Sequence, residues 1–135
     1  ILPNITEAAL FSGLDYREDL EEGYVNALLD GLEHPCVVLT GVGEGPGQTG
    51  FMVRQGNFQR GYSHPKIGKG RSGTGDMFAA CFTGALMQGK PTWEAAKIAA
   101  DFVSLAIANT ERSPAHWYGV KFETALPELI RMLEG

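Results

Sequence analysis

Cysteine is scarce in this chain: Cys36 and Cys81 are the only two among 135 residues, with no C-x-x-C and no histidine at ligand spacing. A disulfide framework or zinc site is not expected, and a reducing cytoplasm is the expected compartment. Apolar runs are short, and none approaches the ~20 residues that a membrane span needs. The opening residues carry no charged-then-apolar leader, so neither membrane association nor export is expected. Acid is absent from one region. Between Gly45 and Gly75 there is no Asp or Glu, while Arg54, Arg60, Lys66, Lys69 and Arg71 all fall there. The rest of the chain holds 6 basic and 16 acidic residues. An acidic protein with one basic segment is not expected to bind nucleic acid. Local field, not net charge, would let that segment attract a small anion; the same five bases also suit a solvated hairpin.

What is abundant is glycine, 18 residues, eleven of them between Gly41 and Gly75. That is about twice the usual ~7%. Ile1-Leu2-Pro3 reads as the end of a strand rather than the start of a domain. Asn4 then opens a short helix that stops at Gly13. A second helix is predicted from Arg17 to Leu32, with Leu20, Tyr24, Val25, Leu28 and Leu29 on its apolar face. Cys36–Thr40 reads as a buried strand of parallel type. Two further strands, Gly50–Gln55 and Phe58–Ser63, are joined by the turn dipeptide Gly56-Asn57. A loop from His64 to Gly75 precedes a helix opening at Asp76 and ending near Gly89. A fourth helix follows, with Thr92 as its cap, and a last one runs from Thr124 to Leu133 with Pro127 in its first turn. This is an α/β order with too few parallel strands to close a sheet.

Two stretches match G-x-G-x-x-G. Gly45–Gly50 runs into a strand, so it cannot aim a helix at a pyrophosphate, and Gly68–Gly73 does not follow a strand directly. The string Gly73-Thr74-Gly75-Asp76 is more informative. The first amides of a helix lack intrahelical partners, and its dipole favours negative charge there. Glycine lets an oxyanion approach the backbone. Asp76 fits two roles, a helix cap or a base accepting a proton from an attacking hydroxyl. Asn4-x-x-Glu7 likewise reads as a capping box on its own. Thr40-Gly41 ends a buried strand, where α/β folds place ligand loops.

Taken in order, Pro3-Asn4-Ile5-Thr6-Glu7-Ala8-Ala9-Leu10, Val37-Val38-Leu39-Thr40-Gly41 and Gly73-Thr74-Gly75-Asp76-Met77-Phe78-Ala79-Ala80 resemble the ribokinase-like superfamily, and within it pyridoxal (pyridoxine/pyridoxamine) kinases. The segments Trp117–Glu123 and Leu126–Leu129 resemble the tail of bacterial members. The resemblance covers the whole chain but only the C-terminal half of such a kinase. It implies the C-terminal part of a three-layer αβα sandwich, with a central parallel strand, a β-hairpin and flanking helices, so that residues 1–135 form a partial kinase domain.

The implied activity is transfer of the γ-phosphate of ATP to the hydroxymethyl group of a B6 vitamer. Asp76 would be the base, and Gly73, Thr74 and Gly75 the anion hole. Asn4, Thr40 and Gly41 would meet ATP, and Glu7 would serve Mg²⁺; many members also use a monovalent cation such as K⁺. The intact protein would be a homodimer, and the 135 residues alone inactive. Leu2 stands where relatives often carry a hydroxyl residue, so a side-chain phosphate contact is not expected from that position. Lys69 and Arg71 reach either phosphate or solvent. The alternatives are a ribokinase-like kinase for hydroxymethylpyrimidine or a sugar, and a non-catalytic nucleotide-binding fragment.

Overall fold

The computed structural model describes residues 1–17, 19, 21–43, 47–65, 74–111 and 126–134. Backbone contacts divide the chain into two compact units, residues 1–65 and 66–135.

In the first unit, Cys36–Thr40 (β1) is buried on both faces, with Val37, Val38 and Leu39 at most 1% exposed. Such a run suits a parallel neighbour, and the opening residues supply it. The Ile1 ammonium donates to the Cys36 carbonyl (2.8 Å), the Val38 amide to the Ile1 carbonyl (2.9 Å) and the Thr40 amide to the Pro3 carbonyl (2.9 Å). Ile1–Asn4 therefore runs beside β1 in parallel, joined to it by backbone hydrogen bonds and one isolated bridge rather than as a strand of the sheet. On its other edge β1 pairs antiparallel with Gln48–Gln55 (β2), Val38 opposite Val53. A two-residue turn at Gly56-Asn57, with Gly56 at φ 59°, leads into Phe58–Pro65 (β3). Both hairpin strands are longer than predicted. Pairing of Gln48 with Pro65 and Thr49 with His64 extends the ladder over residues whose own strand preference is weak.

Ile5–Ser12 (α1) and Glu22–Leu32 (α2) pack Ile5, Ala8, Tyr24 and Leu28 against Val37 and Leu39 of β1. Gly31 lies so close to α1 that an added Cβ would sit 2.7 Å from the Ser12 Cβ. The second helix starts at Glu22 instead of Arg17. The Tyr24 hydroxyl explains the delay: it donates to the Asp15 carbonyl (2.7 Å) and accepts the Arg17 amide (3.2 Å). The Arg17 guanidinium also stacks over the Tyr24 ring at 5.5 Å. Backbone groups at 15–17 are thereby tied down outside the helix. Leu20, predicted on the apolar face, lies outside the described residues.

The second unit contains Thr74–Met87 (α3), Thr92–Glu111 (α4) and Leu126–Glu134 (α5). Phe102 and Ala106 of α4 form a cluster with Met77 and Cys81 of α3 and Leu129 of α5. Ala95, Ala96, Ala99 and Ala106 are fully buried, which leaves the α4 backbone free to approach its neighbours closely. Helix α3 opens at Thr74, two residues before the predicted start. The low helix preference of Thr and Gly costs little in a first turn, where the amides have no intrahelical partner in any case. Thr92 is not the cap of α4. The Ala95 amide donates to the Pro91 carbonyl at 2.8 Å, so Pro91 takes the cap position and Thr92 is helical. The last helix begins at Leu126; Thr124 lies outside the described residues. No helix among the described residues is long and apolar enough to cross a membrane.

Burial in this cluster pushes the Cys81 thiol from 9.0 up to about 11. The unfolded chain ionises this thiol first as pH rises, so folding stability is full below pH 9 and falls as pH climbs towards 11. Urea unfolding at a series of pH values should show this decline, and Cys81→Ala should make the profile flatter above pH 9.

Candidate active site

Four of the expected site residues meet in the first unit, where the opening segment and the carboxyl end of β1 run side by side in parallel. Asn4 and Thr40 form an isolated parallel bridge. The Pro3 carbonyl accepts both the Thr40 amide (2.9 Å) and the Thr40 hydroxyl (3.4 Å). The hydroxyl bond is long, and turning Thr40 Oγ1 towards a ligand leaves the Pro3 carbonyl still served by the amide. Gly41 follows in the left-handed region, φ 81°, where a Cβ would meet nothing closer than Ile5 Cγ1 at 3.9 Å. Its glycine is required by backbone conformation, not by space. The Gly41 amide already donates to the Gly50 carbonyl at 2.9 Å. Gly41 therefore offers a ligand a bare Cα rather than an N–H.

Asn4 caps α1. The Glu7 amide donates to Asn4 Oδ1 (2.8 Å), while the Asn4 amide and Nδ2 donate to Glu7 Oε2 (3.1 Å) and Oε1 (3.3 Å). The capping box is real, and it also fixes a carboxylate. Both residues are exposed. A carboxylate has about four lone-pair directions, so two bonds from Asn4 leave Glu7 able to accept more. No group of three or more His, Cys, Asp or Glu side chains able to hold a metal occurs among the described residues. That donor set fits Mg²⁺, which is commonly bound through one or two carboxylates, water and substrate phosphates. It does not fit a closed structural site.

The second unit presents the start of α3. Thr74 is its first residue, and Gly75 and the exposed Asp76 complete the opening of the first turn. By helix geometry the amides of Gly75 and Asp76 have no intrahelical partner, and the positive end of the dipole lies there. Among the described residues, a Cβ built on Gly75 meets no atom within 4 Å, and its φ is not in the left-handed region. Among the described residues, neither packing nor a left-handed backbone requires glycine here. Gly73, Lys69 and Arg71 lie outside the described residues.

Sequence reasoning missed Gly50 as part of this region. Its carbonyl accepts the amides of both Gly41 and Val42, the latter at 3.2 Å. The Gly45–Gly50 match drew attention to a turn, whereas the contact depends on β1 lying beside β2, which no local motif encodes.

Parallel backbone segments meeting a capped helix, with a glycine-aspartate helix mouth further along the chain, define the C-terminal part of a ribokinase-like αβα kinase fold. Solved structures agree. A pyridoxal kinase from Lactobacillus plantarum matches 99% of this chain and 50% of its own, with 27% identity and a TM-score of 0.81. The Staphylococcus aureus pyridoxal kinase in complex with AMP-PCP and pyridoxal matches 80% of this chain and 41% of its own (26% identity, TM-score 0.67). An ADP complex of Bacillus subtilis pyridoxal kinase matches 78% and 41% (26%, 0.67). The family model for phosphomethylpyrimidine kinase matches residues 1–120, and the chain belongs to that family. No curated protein matches it. The chain spans about half the length of the solved structure from L. plantarum.

Asn4→Ala should lower the unfolding free energy by about 1 kcal/mol, the usual worth of a side-chain cap. Denaturant unfolding measures this. The pairing of Ile1–Pro3 with β1 should survive, because its bonds are all backbone.

Proposed function

We propose that this chain is the C-terminal portion of an ATP-dependent kinase acting on the hydroxymethyl group of pyridoxal, pyridoxine or pyridoxamine, with residues 1–135 forming one partial kinase domain. The observation that carries this reading is Gly75-Asp76 in the first turn of α3: an exposed carboxylate beside a helix-start backbone where, among the described residues, nothing would meet a side chain. In the reaction, Asp76 accepts the proton of the alcohol. The alcohol oxygen attacks the γ-phosphorus, the bond to the β–γ bridging oxygen breaks, and ADP leaves with that electron pair. The amides of Gly73, Thr74 and Gly75 stabilise negative charge on the transferring phosphoryl group, where hydrogen bonds to charge count most.

Thr40 turns its hydroxyl to an ATP phosphate, Gly41 gives the nucleotide close backbone approach, and Asn4 orients Glu7. Mg²⁺, when bound, supplies charge neutralisation at the phosphates, and Glu7 is the residue that would hold it with its waters. The isolated 135 residues are catalytically silent in this reading, and the intact protein is a homodimer in the cytoplasm. Support comes from the solved relatives, one bound to AMP-PCP and pyridoxal and another to ADP.

A second reading is favoured by the family model, whose description, phosphomethylpyrimidine kinase, points to a pyrimidine acceptor, either the phosphomethylpyrimidine it names or the hydroxymethylpyrimidine alcohol. Hydroxymethylpyrimidine and the B6 vitamers each present a primary alcohol on a nitrogen heteroaromatic ring, whereas phosphomethylpyrimidine presents a phosphate oxygen, and the same residues serve any of them. An acceptor panel on the protein extended to the full length of its relatives separates them. ADP formation with a B6 alcohol should exceed that with hydroxymethylpyrimidine or a sugar by about tenfold or more in kcat/KM, a difference that acceptor-pocket contacts readily supply. Preference for the pyrimidine would move the assignment to the second reading. No ADP formation with any acceptor would overturn the kinase assignment.

A further inference from the structure

The three residues Thr40, Gly41 and Val42 have every backbone donor engaged, and they are gripped from two sides. The Pro3 carbonyl takes the Thr40 amide and hydroxyl, and the Gly50 carbonyl takes the Gly41 and Val42 amides. Two glycines let backbone crowd on either side of the second grip, Gly43 against the start of β2 and Gly50 against β3. A Cβ on Gly50 would overlap the Tyr62 carbonyl oxygen across the β2–β3 pair, so β3 could not lie where it does. A Cβ on Gly43 would overlap the backbone of Gln48 and Thr49 and push the chain after β1 away from β2. Unlike Gly41, neither has a positive φ. Both are kept by close approach of backbone to backbone.

We infer that Gly43 and Gly50 are positioning residues for the nucleotide: together they latch Thr40–Val42 onto the start of β2 and hold it in one shape before ATP arrives. This rests on the reading that Thr40 and Gly41 meet ATP. The latch acts through those residues, because Gly43 and Gly50 fix their backbone and need touch no ligand themselves. Preorganisation matters quantitatively. A protein whose binding-competent conformation is only fractionally populated binds more weakly by that fraction. If release of the latch leaves the loop competent about one-tenth of the time, the apparent Kd rises about tenfold.

Amide hydrogen exchange on the unaltered chain gives the first test. The Gly41 and Val42 amides should be protected to the same degree as Val38 and Thr40 in β1, and Mg-ATP should add little to that protection. Unprotected exchange at both positions, or protection that appears only with Mg-ATP, would overturn the proposal.

The variant test is Gly43→Ala, with Gly31→Ala as the control, since Gly31 is a crowded glycine remote from the loop. Measured well below the unfolding midpoint, Gly43→Ala should weaken Mg-ATP binding about tenfold and unprotect Gly41 and Val42 while β1 stays protected. Gly31→Ala should lower the unfolding midpoint and leave the Kd unchanged. Equal Kd values for Gly43→Ala and the parent, or equal weakening by both variants, would overturn the proposal. Protected amides in a chain that does not bind Mg-ATP would overturn the nucleotide role itself. Unprotected amides in a chain that does bind it would overturn the latch alone.

Discussion

The hydrogen bond from the Thr40 amide to the Pro3 carbonyl is the interaction on which the first unit turns. At 2.9 Å it is the last rung of the parallel pairing between the opening residues and β1, and it brings the ends of the two segments level. From that level point, Asn4 leaves one segment as the cap of α1, and Gly41 leaves the other as a left-handed turn. If the register slipped by one residue, the faces of β1 would exchange and Val37 and Leu39 would leave the α1–α2 core. The core and the alignment of the proposed ligand residues are therefore specified together. Burial of Val37, Val38 and Leu39 fixes the register, and the register fixes where Asn4, Glu7, Thr40 and Gly41 stand.

The proposed ligand groups differ in chemistry between the two units. The first contributes an exposed carboxylate, an amide side chain and a hydroxyl, groups suited to a hydrated cation and to nucleotide oxygens. The start of α3 contributes backbone amides, a helix dipole and Asp76, groups suited to charge that moves during transfer. In the proposed reaction the first set addresses the ground state and the second addresses the transition state. Only the second can raise kcat directly, because only interactions that strengthen at the transition state accelerate the chemical step.

Much of this was legible in the residues. The Asn4 cap with its Gly13 stop, the buried β1 and the Gly56-Asn57 hairpin all follow from local patterns. The misreadings share a cause. The delayed start of α2 depends on a Tyr24 hydroxyl reaching back to Asp15, and the extended hairpin depends on partners across the ladder. The cap of α4 moved to Pro91 because a carbonyl, not a side chain, makes the first bond. The double acceptor at Gly50 was likewise invisible, since it joins residues that become neighbours only through strand pairing. For the site, Asn4-x-x-Glu7 alone carried a purely capping explanation. The proposed ligand role rests instead on its place beside Thr40, which depends on backbone pairing across 36 residues of sequence.

The central claim is that Asp76 is the base for phosphoryl transfer. It is tested most directly by Asp76→Asn in the kinase extended to the full length of its relatives, with kcat and ATP affinity measured on the same preparation. Loss of a positioned base should lower kcat by about 10²- to 10⁴-fold, with ATP affinity little changed. Near-normal turnover in that variant would contradict the account.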